Sequence, residues 1–233
     1  MPTQRYKIVG HRLCPYVQRV VIVMLERGIA FDRRDIDLDN KPQWLSGISP
    51  SGQVPVLQVG HDSWLFESGV IARYLDRMSG NRMMPADPLA CARHEAWMSY
   101  ADGMLNIVAR IIYREANAKG VRDAMTDLVS RLKIVDARFS PNGYFSGLEF
   151  GLVDAVFVTL FRYFAVLDLV SDVKVQAELS DSLRGWWNMV RTRPSVSAAV
   201  PREYDSELME FIAAKNSHAG RVLARTGLRT PGR

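Results

Sequence analysis

The stretch HRLCPYVQRVVIVMLERG places Cys14 directly before Pro15, at the point where an apolar helical pattern begins. Proline suits the first position of a helix, because the N–H group that it lacks would have no partner there. The start of a helix also supplies unpaired N–H groups and a partial positive charge of about half a unit. His11, Arg12 and Arg19 add positive charge nearby. Since the thiolate is the nucleophilic form of cysteine, the pattern predicts a lowered pKa for Cys14 and a reactive thiol.

A purely structural interpretation of Cys14 stays open, because a small residue also suits a corner between a strand and a helix. Val17 occupies the position of the second cysteine in a C-x-x-C pair, so no resolving thiol or metal-binding partner is near. The other cysteine, Cys91, lies in a helical pattern between two alanines and is interpreted as packing. No metal site and no disulfide are predicted, and a reducing cytoplasm is the expected compartment.

Two further segments carry groups suited to an extended, charged ligand. In SGQVPVL, Pro55 directly precedes a strand; if the Val54–Pro55 bond is cis, the Val54 backbone is free to pair with an extended ligand. In FES, Ser68 is predicted to cap a helix, where its hydroxyl and the end N–H groups bind a carboxylate, and Glu67 suits an ammonium group. Each segment also has a plain alternative, as an edge-strand proline and as an ordinary helix cap.

The apolar pattern divides the chain into a small α/β part, a linker and a helical part. Strands are predicted at 6–10, 29–35, 54–59 and 64–66, with helices at 15–27 and 67–78 and a helical turn at 41–46. The β-α-β start indicates a parallel strand pair. We predict domains at 1–80 and 89–233, joined by a linker at 81–88. In the second domain, helices are predicted at 89–117, 121–139, 152–167 and 179–190, with a turn at 140–143.

Composition is that of an ordinary globular protein, with 48% hydrophobic and 24% charged residues and a net charge of +5. No long apolar run predicts a membrane span, and the first ten residues do not resemble a signal peptide. The basic residues near the C-terminus are interpreted as a solvated tail. No nucleic-acid partner is predicted, because no aromatic residues alternate with these charges. The basic residues are Lys215, Arg221, Arg225, Arg229 and Arg233.

Together these segments resemble the glutathione transferase family, in which a thioredoxin-like N-terminal domain precedes an all-helical domain. The resemblance covers essentially the whole chain and is most specific over 14–74. The run CPYVQR, and NKPQW ahead of SPSG, resemble the cysteine-containing omega type. The family's helix cap ahead of Asp154 is normally Ser or Thr, whereas this chain has Gly151, a permissible cap. The resemblance also implies a homodimer.

The resemblance implies that glutathione is the co-substrate and that Cys14 forms a mixed disulfide with it. Because Val17 replaces a second cysteine, another glutathione must resolve that disulfide. The implied reaction is thiol transfer or reduction: deglutathionylation, dehydroascorbate reduction, or removal of glutathione from an activated conjugate. The groups implied to hold glutathione are the Val54 backbone beside a cis Pro55 for the cysteinyl part, Glu67 and Ser68 for the γ-glutamyl ammonium and carboxylate, and Lys41 for the glycyl carboxylate.

The small electrophilic or disulfide substrate is expected between the domains, against the helix predicted to start at residue 89. Two alternative functions stay open. One is a non-catalytic binding protein; the other is a transferase that conjugates electrophiles and uses the hydroxyl of Tyr6 or Tyr16, with Cys14 as a bystander. The apolar or aromatic residues offered for the substrate wall are Trp97, Tyr100, Met104, Ile107, Val108 and Ile111.

Overall fold

The computed structural model describes residues 5–137, 143–145 and 147–226. The first domain is a four-stranded sheet with three helices. Strand order is β2-β1-β3-β4; β1 and β2 are parallel and the other pairs antiparallel, which confirms the predicted β-α-β start and the thioredoxin-like α/β class. The elements are β1 Tyr6–Gly10, α1 Pro15–Glu26, β2 Phe31–Asp35, α2 Trp44–Ile48, β3 Val56–Val59, β4 Ser63–Phe66 and α3 Ser68–Met78.

Helix α1 packs directly on the end of β1. A β-carbon at residue 10 would lie 2.3 Å from Cγ2 of Val17, so Gly10 is needed for this close approach. Gly28, with φ of +61°, follows the end of the helix as predicted. The tight strand–helix contact fixes the start of α1, and therefore Cys14, beyond the carboxyl end of β1, an inner strand of the sheet.

The second domain is helical, as predicted, with boundaries set by local caps. The helix expected to run to 117 ends at Tyr113, because Asn117 caps the next helix and accepts a hydrogen bond from the Gly120 N–H at 2.9 Å. The helix expected over 152–167 is two helices. Residues 140–142 of the expected turn lie outside the described residues. The helices are α4 Pro88–Tyr113, α5 Ala118–Asp136, α6 Leu152–Phe161, α7 Phe164–Val170, α8 Asp181–Val190, α9 Pro194–Ala198, α10 Tyr204–Ala213 and α11 His218–Arg225.

The interpretation of residues 215–225 as a solvated tail is wrong. Helices α10 and α11 pack into the core through Leu208, Ile212 and Leu223, all of which are buried. The Arg221 guanidinium donates to the Ala116 carbonyl and ties α11 to the segment between α4 and α5. The basic residues obscured a helical pattern of apolar side chains, which is what decides burial. Arg229 and Arg233 lie outside the described residues.

Side chains from both domains lock α1 to the helical domain. Arg162 donates to Gln18 Oε1 at 2.6 Å and to the Val196 carbonyl at 2.5 Å. Arg193 forms a two-pronged ion pair with Glu26, with nitrogen–oxygen distances of 2.7 and 2.8 Å. The helix that begins at Cys14 is therefore held from both sides. None of the helices in the described residues combines the length and apolar character needed to cross a membrane.

Asp154 organises the buried start of α6. Its Oδ1 accepts from the Phe145 N–H at 2.9 Å and from Trp186 Nε1 at 2.8 Å, and its Oδ2 accepts from the Gly151 N–H at 2.9 Å. Burial raises the pKa of Asp154 to about 6, although these donors oppose the rise. In a capping box, the cap residue and the third helical residue each accept a hydrogen bond from the other's backbone. Gly151 has no side chain for its part, so this chain keeps only the bond from the Gly151 N–H to Asp154.

We expect Asp154→Asn to lower the free energy of unfolding by about 1 to 3 kcal/mol, because an amide cannot accept from all three buried donors. Urea denaturation followed by circular dichroism measures this change. The matched control is Asp123→Asn, since Asp123 is exposed and forms an ion pair with Lys119 across one helical turn. Equal stabilities for the two variants would contradict a structural role for Asp154.

Candidate active site

Cys14 is the residue that caps α1, with extended backbone at φ −73° and ψ 120°. Its N–H donates to the His11 carbonyl at 2.9 Å, and its carbonyl accepts from the N–H groups of Val17 and Gln18. Pro15 occupies the first turn of the helix as predicted. The thiol therefore lies at the positive end of α1, in the position that the sequence predicts.

The predicted lowering of the Cys14 pKa is wrong. Burial raises the pKa of this thiol above its ordinary value, because enclosure penalises the thiolate. The N–H groups of Val17 and Tyr16 and the charge of Arg19 favour the thiolate but do not outweigh burial. The sequence showed the helix end and the nearby cations; it did not show how closely the surrounding side chains would enclose the sulfur.

A polar cavity of about 450 Å³ opens beside this helix end, within the size range of about 300 to 1,000 Å³ usual for ligand sites. Four of the sequence-predicted binding residues line it: Val54, Pro55, Glu67 and Ser68. The Val54–Pro55 peptide is cis. Neither the N–H nor the carbonyl of Val54 is hydrogen-bonded to a described residue, so both groups are available to a ligand in the cavity. The other lining residues are Tyr16, Ser49, Gln53, Gly69, Val70, Arg73, Glu95, Met98, Ser99 and Asp102.

Ser68 is the first residue of α3 rather than its cap, which corrects the prediction. Glu67 occupies the cap position with φ of +67°, a conformation that non-glycine residues rarely adopt, and no side chain caps the helix. The Ser68 hydroxyl is buried and accepts from Nη1 of Arg19 at 3.4 Å. The strained backbone turns Glu67 and Ser68 toward the same cavity, beside the N-terminus of α3.

Arg19 has a larger role than the sequence indicated. Its side chain is 1% exposed, and its guanidinium donates to Asp102 Oδ1 at 2.5 Å and lies 4.9 Å from the centre of the Tyr16 ring. Together with the bond to Ser68, these contacts connect α1, α3 and α4 around the cavity. The sequence signal for this role of Arg19 was its charge within the run 17–24, which is buried, because a buried charged side chain requires partners within the molecule.

Lys41 is not brought together with the other predicted binding residues. Its ammonium is exposed and donates to the Gly52 carbonyl at 3.0 Å, and the residue does not line the cavity. Gly52 precedes Gln53, which does line it, so Lys41 lies at the periphery. Sequence reasoning missed the ion pair of Arg73 with Glu95, which joins α3 to α4 in the cavity wall. These side chains belong to different domains, so no local pattern linked them.

A second, apolar cavity of about 130 Å³ adjoins the thiol. Tyr16 lines both cavities, and Cys14 lines the apolar one, so this part of α1 forms the boundary between them. The remaining lining residues are His11, Leu13, Pro15, Leu38, Leu105, Val108, Ala109, Ile112, Tyr113, Tyr163, Leu208 and Phe211.

Helix α4 supplies a wall of the apolar cavity, as expected, but through a different face. Of the six residues predicted for the wall, only Val108 lines it. Met104, Ile107 and Ile111 are buried in the core, while Trp97 and Tyr100 pack against each other with ring centroids 5.5 Å apart. The true lining residues of α4 are Leu105, Val108, Ala109, Ile112 and Tyr113.

The two tyrosines considered for a hydroxyl mechanism lie in different places. Tyr16 lies at the boundary of the two cavities, whereas Tyr6 lies in β1 and lines neither of them. Burial raises the pKa of each to about 12, so both hydroxyls stay protonated at neutral pH. Within the described part of the chain, no group of three or more His, Cys, Asp or Glu side chains could hold a metal ion.

Two family models match this chain. The model described as "Glutathione S-transferase, N-terminal domain" matches residues 13–78, and "Glutathione S-transferase, C-terminal domain" matches residues 87–194. The chain is 27% identical over 220 residues to glutathione S-transferase omega-1 of Sus scrofa, covering 93% of this chain and 89% of that one. It is 27% identical over 205 residues to glutathione S-transferase U24 of Arabidopsis thaliana, covering 87% and 91%.

The fold matches that of glutathione transferase Omega 3C from Trametes versicolor, with a TM-score of 0.74 and 20% identity over 83% of this chain and 88% of that one. The likeness agrees with the sheet and helical domain described above. Because the two family models together match more than half of the chain, the protein belongs to the glutathione S-transferase family, whose members are enzymes that use glutathione as co-substrate.

Proposed function

We propose that this enzyme catalyses thiol transfer or disulfide reduction through a single cysteine, Cys14, by way of a mixed disulfide with glutathione. The observation that carries the proposal is the position of Cys14 in the wall of the apolar cavity, two residues before Tyr16, which lines both that cavity and the polar one. A glutathione held in the polar cavity brings its sulfur toward the start of α1. A group attached to that sulfur enters the apolar cavity. The thiol then lies where a glutathione disulfide must be attacked.

The polar cavity suits the parts of glutathione. The unpaired Val54 N–H and carbonyl can form two antiparallel hydrogen bonds with the cysteinyl residue, in the manner of an added strand. Ser68 and the N-terminus of α3 favour the γ-glutamyl carboxylate, with Arg19 behind the hydroxyl. Glu67 is assigned to the γ-glutamyl ammonium. Lys41 is kept for the glycyl carboxylate, which it can reach only by leaving the Gly52 carbonyl.

The reaction balances with two glutathione molecules. The Cys14 thiolate attacks the glutathione sulfur of a disulfide R–S–S–G. The Cys14–S–S–G bond forms, the S–S bond between the glutathione sulfur and the sulfur of R–S breaks, and R–S⁻ is released. The thiolate of a second glutathione then attacks the same glutathione sulfur, forming oxidised glutathione and freeing the Cys14 thiolate. Val17 leaves this second step to glutathione, because the chain has no resolving cysteine at that position.

The raised pKa of Cys14 sets the pH dependence of the first step. Only the thiolate attacks, so the rate rises with pH as the thiol ionises. A thiolate of higher pKa is intrinsically more nucleophilic, which partly offsets its smaller population near neutrality.

The apolar cavity favours one of the possible substrates. Its volume of about 130 Å³ and its apolar and aromatic lining suit a small apolar group on sulfur. Dehydroascorbate is polar, and a glutathionylated protein is too large to enter. We therefore propose a small glutathione disulfide or activated conjugate as the substrate.

The Tyr16 hydroxyl supports a second candidate function, conjugation of glutathione to electrophiles. Tyr16 lines both cavities, and with a pKa of about 12 its hydroxyl stays available to donate a hydrogen bond to a glutathione thiolate. The alternative of a non-catalytic binding protein loses support, because Arg221 and Arg225, expected in a solvated basic tail, lie in helix α11, which packs into the core. The homodimer stays a prediction from the resemblance.

We expect Cys14→Ser to lower glutathione-dependent disulfide reduction to the uncatalysed rate, because serine cannot form the mixed disulfide. Mass spectrometry of the wild-type protein after exposure to oxidised glutathione should find one glutathione on Cys14. Cys91→Ser is the matched control and should keep both the activity and the adduct. Full activity in Cys14→Ser together with its loss in Tyr16→Phe would favour the hydroxyl mechanism instead.

The alkylation rate of Cys14 should rise with pH, with a midpoint above that of the same cysteine in denaturant, where an ordinary thiol titrates near about 8.5. The physical reason is that burial disfavours the thiolate. Iodoacetamide labelling in a Cys91→Ser background measures the native and denatured profiles of one thiol. A native midpoint below the denatured one would show that the helix end and the cations dominate, and would overturn the assigned direction.

We expect Ser68→Ala to weaken glutathione binding by about tenfold, because a hydrogen bond to a charged group is lost inside the cavity. Lys41→Met should weaken it by less than about fivefold, since an exposed charge contributes at most about 1 kcal/mol. Isothermal titration calorimetry measures both, and the remote Lys119→Met serves as control. A larger effect for Lys41 than for Ser68 would mean that the ligand lies against the periphery of the cavity instead.

A further inference from the structure

Lys215, in the segment between α10 and α11, is a largely buried cation with little to neutralise it. Its side chain is 18% exposed, and its ammonium lies 4.2 Å from the centre of the Phe211 ring and 6.0 Å from that of Tyr113. The nearest carboxylate oxygen recorded for it, Asp39 Oδ2, is 3.7 Å away, beyond hydrogen-bond distance, and that side chain is 84% exposed. The ammonium donates no hydrogen bond to any described residue.

The Lys215 ammonium therefore has hydrogen-bond donors that no described residue uses. An ammonium has three donors, and removing it from water without hydrogen bonds is costly. The aromatic rings offset part of that cost, while an ion pair with an exposed partner contributes little. Since the side chain keeps some contact with solvent, an incoming anion can reach it. The site therefore favours an anionic group far more than an ordinary surface lysine does.

The cation adjoins the apolar cavity at Cys14. The two rings that it contacts, Tyr113 and Phe211, both line that cavity, and Asp39 follows Leu38, which lines it too. An engineered apolar cavity of about 150 Å³ binds benzene, so about 130 Å³ accommodates one aromatic ring. A substituent that projects from such a ring past Phe211 comes within reach of Lys215.

We propose that Lys215 determines substrate specificity by binding a carboxylate on a one-ring aromatic thiol that is joined to glutathione by a disulfide. The inference rests on the proposed function and adds to it the chemical class of the leaving group. The Cys14 thiolate attacks the glutathione sulfur, and the bond between that sulfur and the aryl sulfur breaks. The aryl thiolate is the leaving group, and its carboxylate is paired with Lys215 while the bond breaks. The second glutathione then completes the cycle as above.

The test uses two probes of one shape, the mixed disulfides of glutathione with 4-mercaptobenzoate and with 4-mercaptobenzamide. The first carries a negative charge where the second carries a neutral amide. Release of the aryl thiol is followed by its ultraviolet absorbance with the uncatalysed rate subtracted. The readout is the ratio of kcat/KM for the acid to kcat/KM for the amide, in the full-length wild-type protein, Lys215→Met, Lys215→Gln and the remote control Lys119→Met.

We expect the wild-type protein and Lys119→Met to prefer the acid, and both Lys215 variants to lose about tenfold in the ratio, mainly through KM, because a charged hydrogen bond is removed. Lys215→Gln keeps a polar end and gives the result even if Lys215→Met folds poorly. A ratio that is the same in the wild-type protein and in either folded Lys215 variant would overturn the inference and leave the proposed function standing. Failure of the wild-type protein to turn over either probe would overturn both.

Discussion

Helix α1 is buried along the whole run 17–24, and the polar side chains inside that run must therefore find partners within the molecule. Gln18 meets Arg162 from the helical domain, and Arg19 meets Ser68 on α3 and Asp102 on α4. These contacts follow from the cost of burying unpaired polar groups, and they bring three helices from two domains around one cavity. The arrangement of α1, α3 and α4 around the cavity is thus largely a consequence of the hydrogen-bond partners that the buried polar side chains of α1 require.

The same burial works against the chemistry proposed for Cys14. Enclosing α1 on both sides gives the thiol a fixed position at the helix end, but it also raises the thiol pKa, because burial penalises the thiolate. Two opposing effects of one packing arrangement are therefore present at this residue. The N–H groups of α1 and the charge of Arg19 favour the anion, and desolvation disfavours it more strongly. An ionised sulfur here depends on a balance between packing and local charge.

Sequence reasoning succeeded where the determinant is local. Pro15 and Gly28 mark the ends of α1 through backbone preferences of single residues, and the cis bond before Pro55 lies in a segment whose composition permits it. It failed where the determinant lies in another part of the chain. The face of α4 that meets the first domain, the burial of Cys14 and the docking of the basic segment around Lys215 all depend on tertiary packing, which a periodic pattern does not specify.

The two cavities differ in chemistry because different elements complete them. The polar cavity is completed by α3 and by residues 95–102 of α4, which contribute carboxylates, hydroxyls and the Arg73 guanidinium to its lining. The apolar cavity is finished by the C-terminal half of α4 and by α10, whose side chains there are aliphatic or aromatic. A ligand that spans both must itself be polar at one end and apolar at the other, with its reactive atom between. The glutathione disulfide or conjugate proposed as substrate has that distribution; Tyr16 lines both cavities, and Cys14 lines the apolar one close to the position proposed for the sulfur. The asymmetry of the site, more than any single residue, therefore relates the fold of this chain to the class of substrate proposed for it.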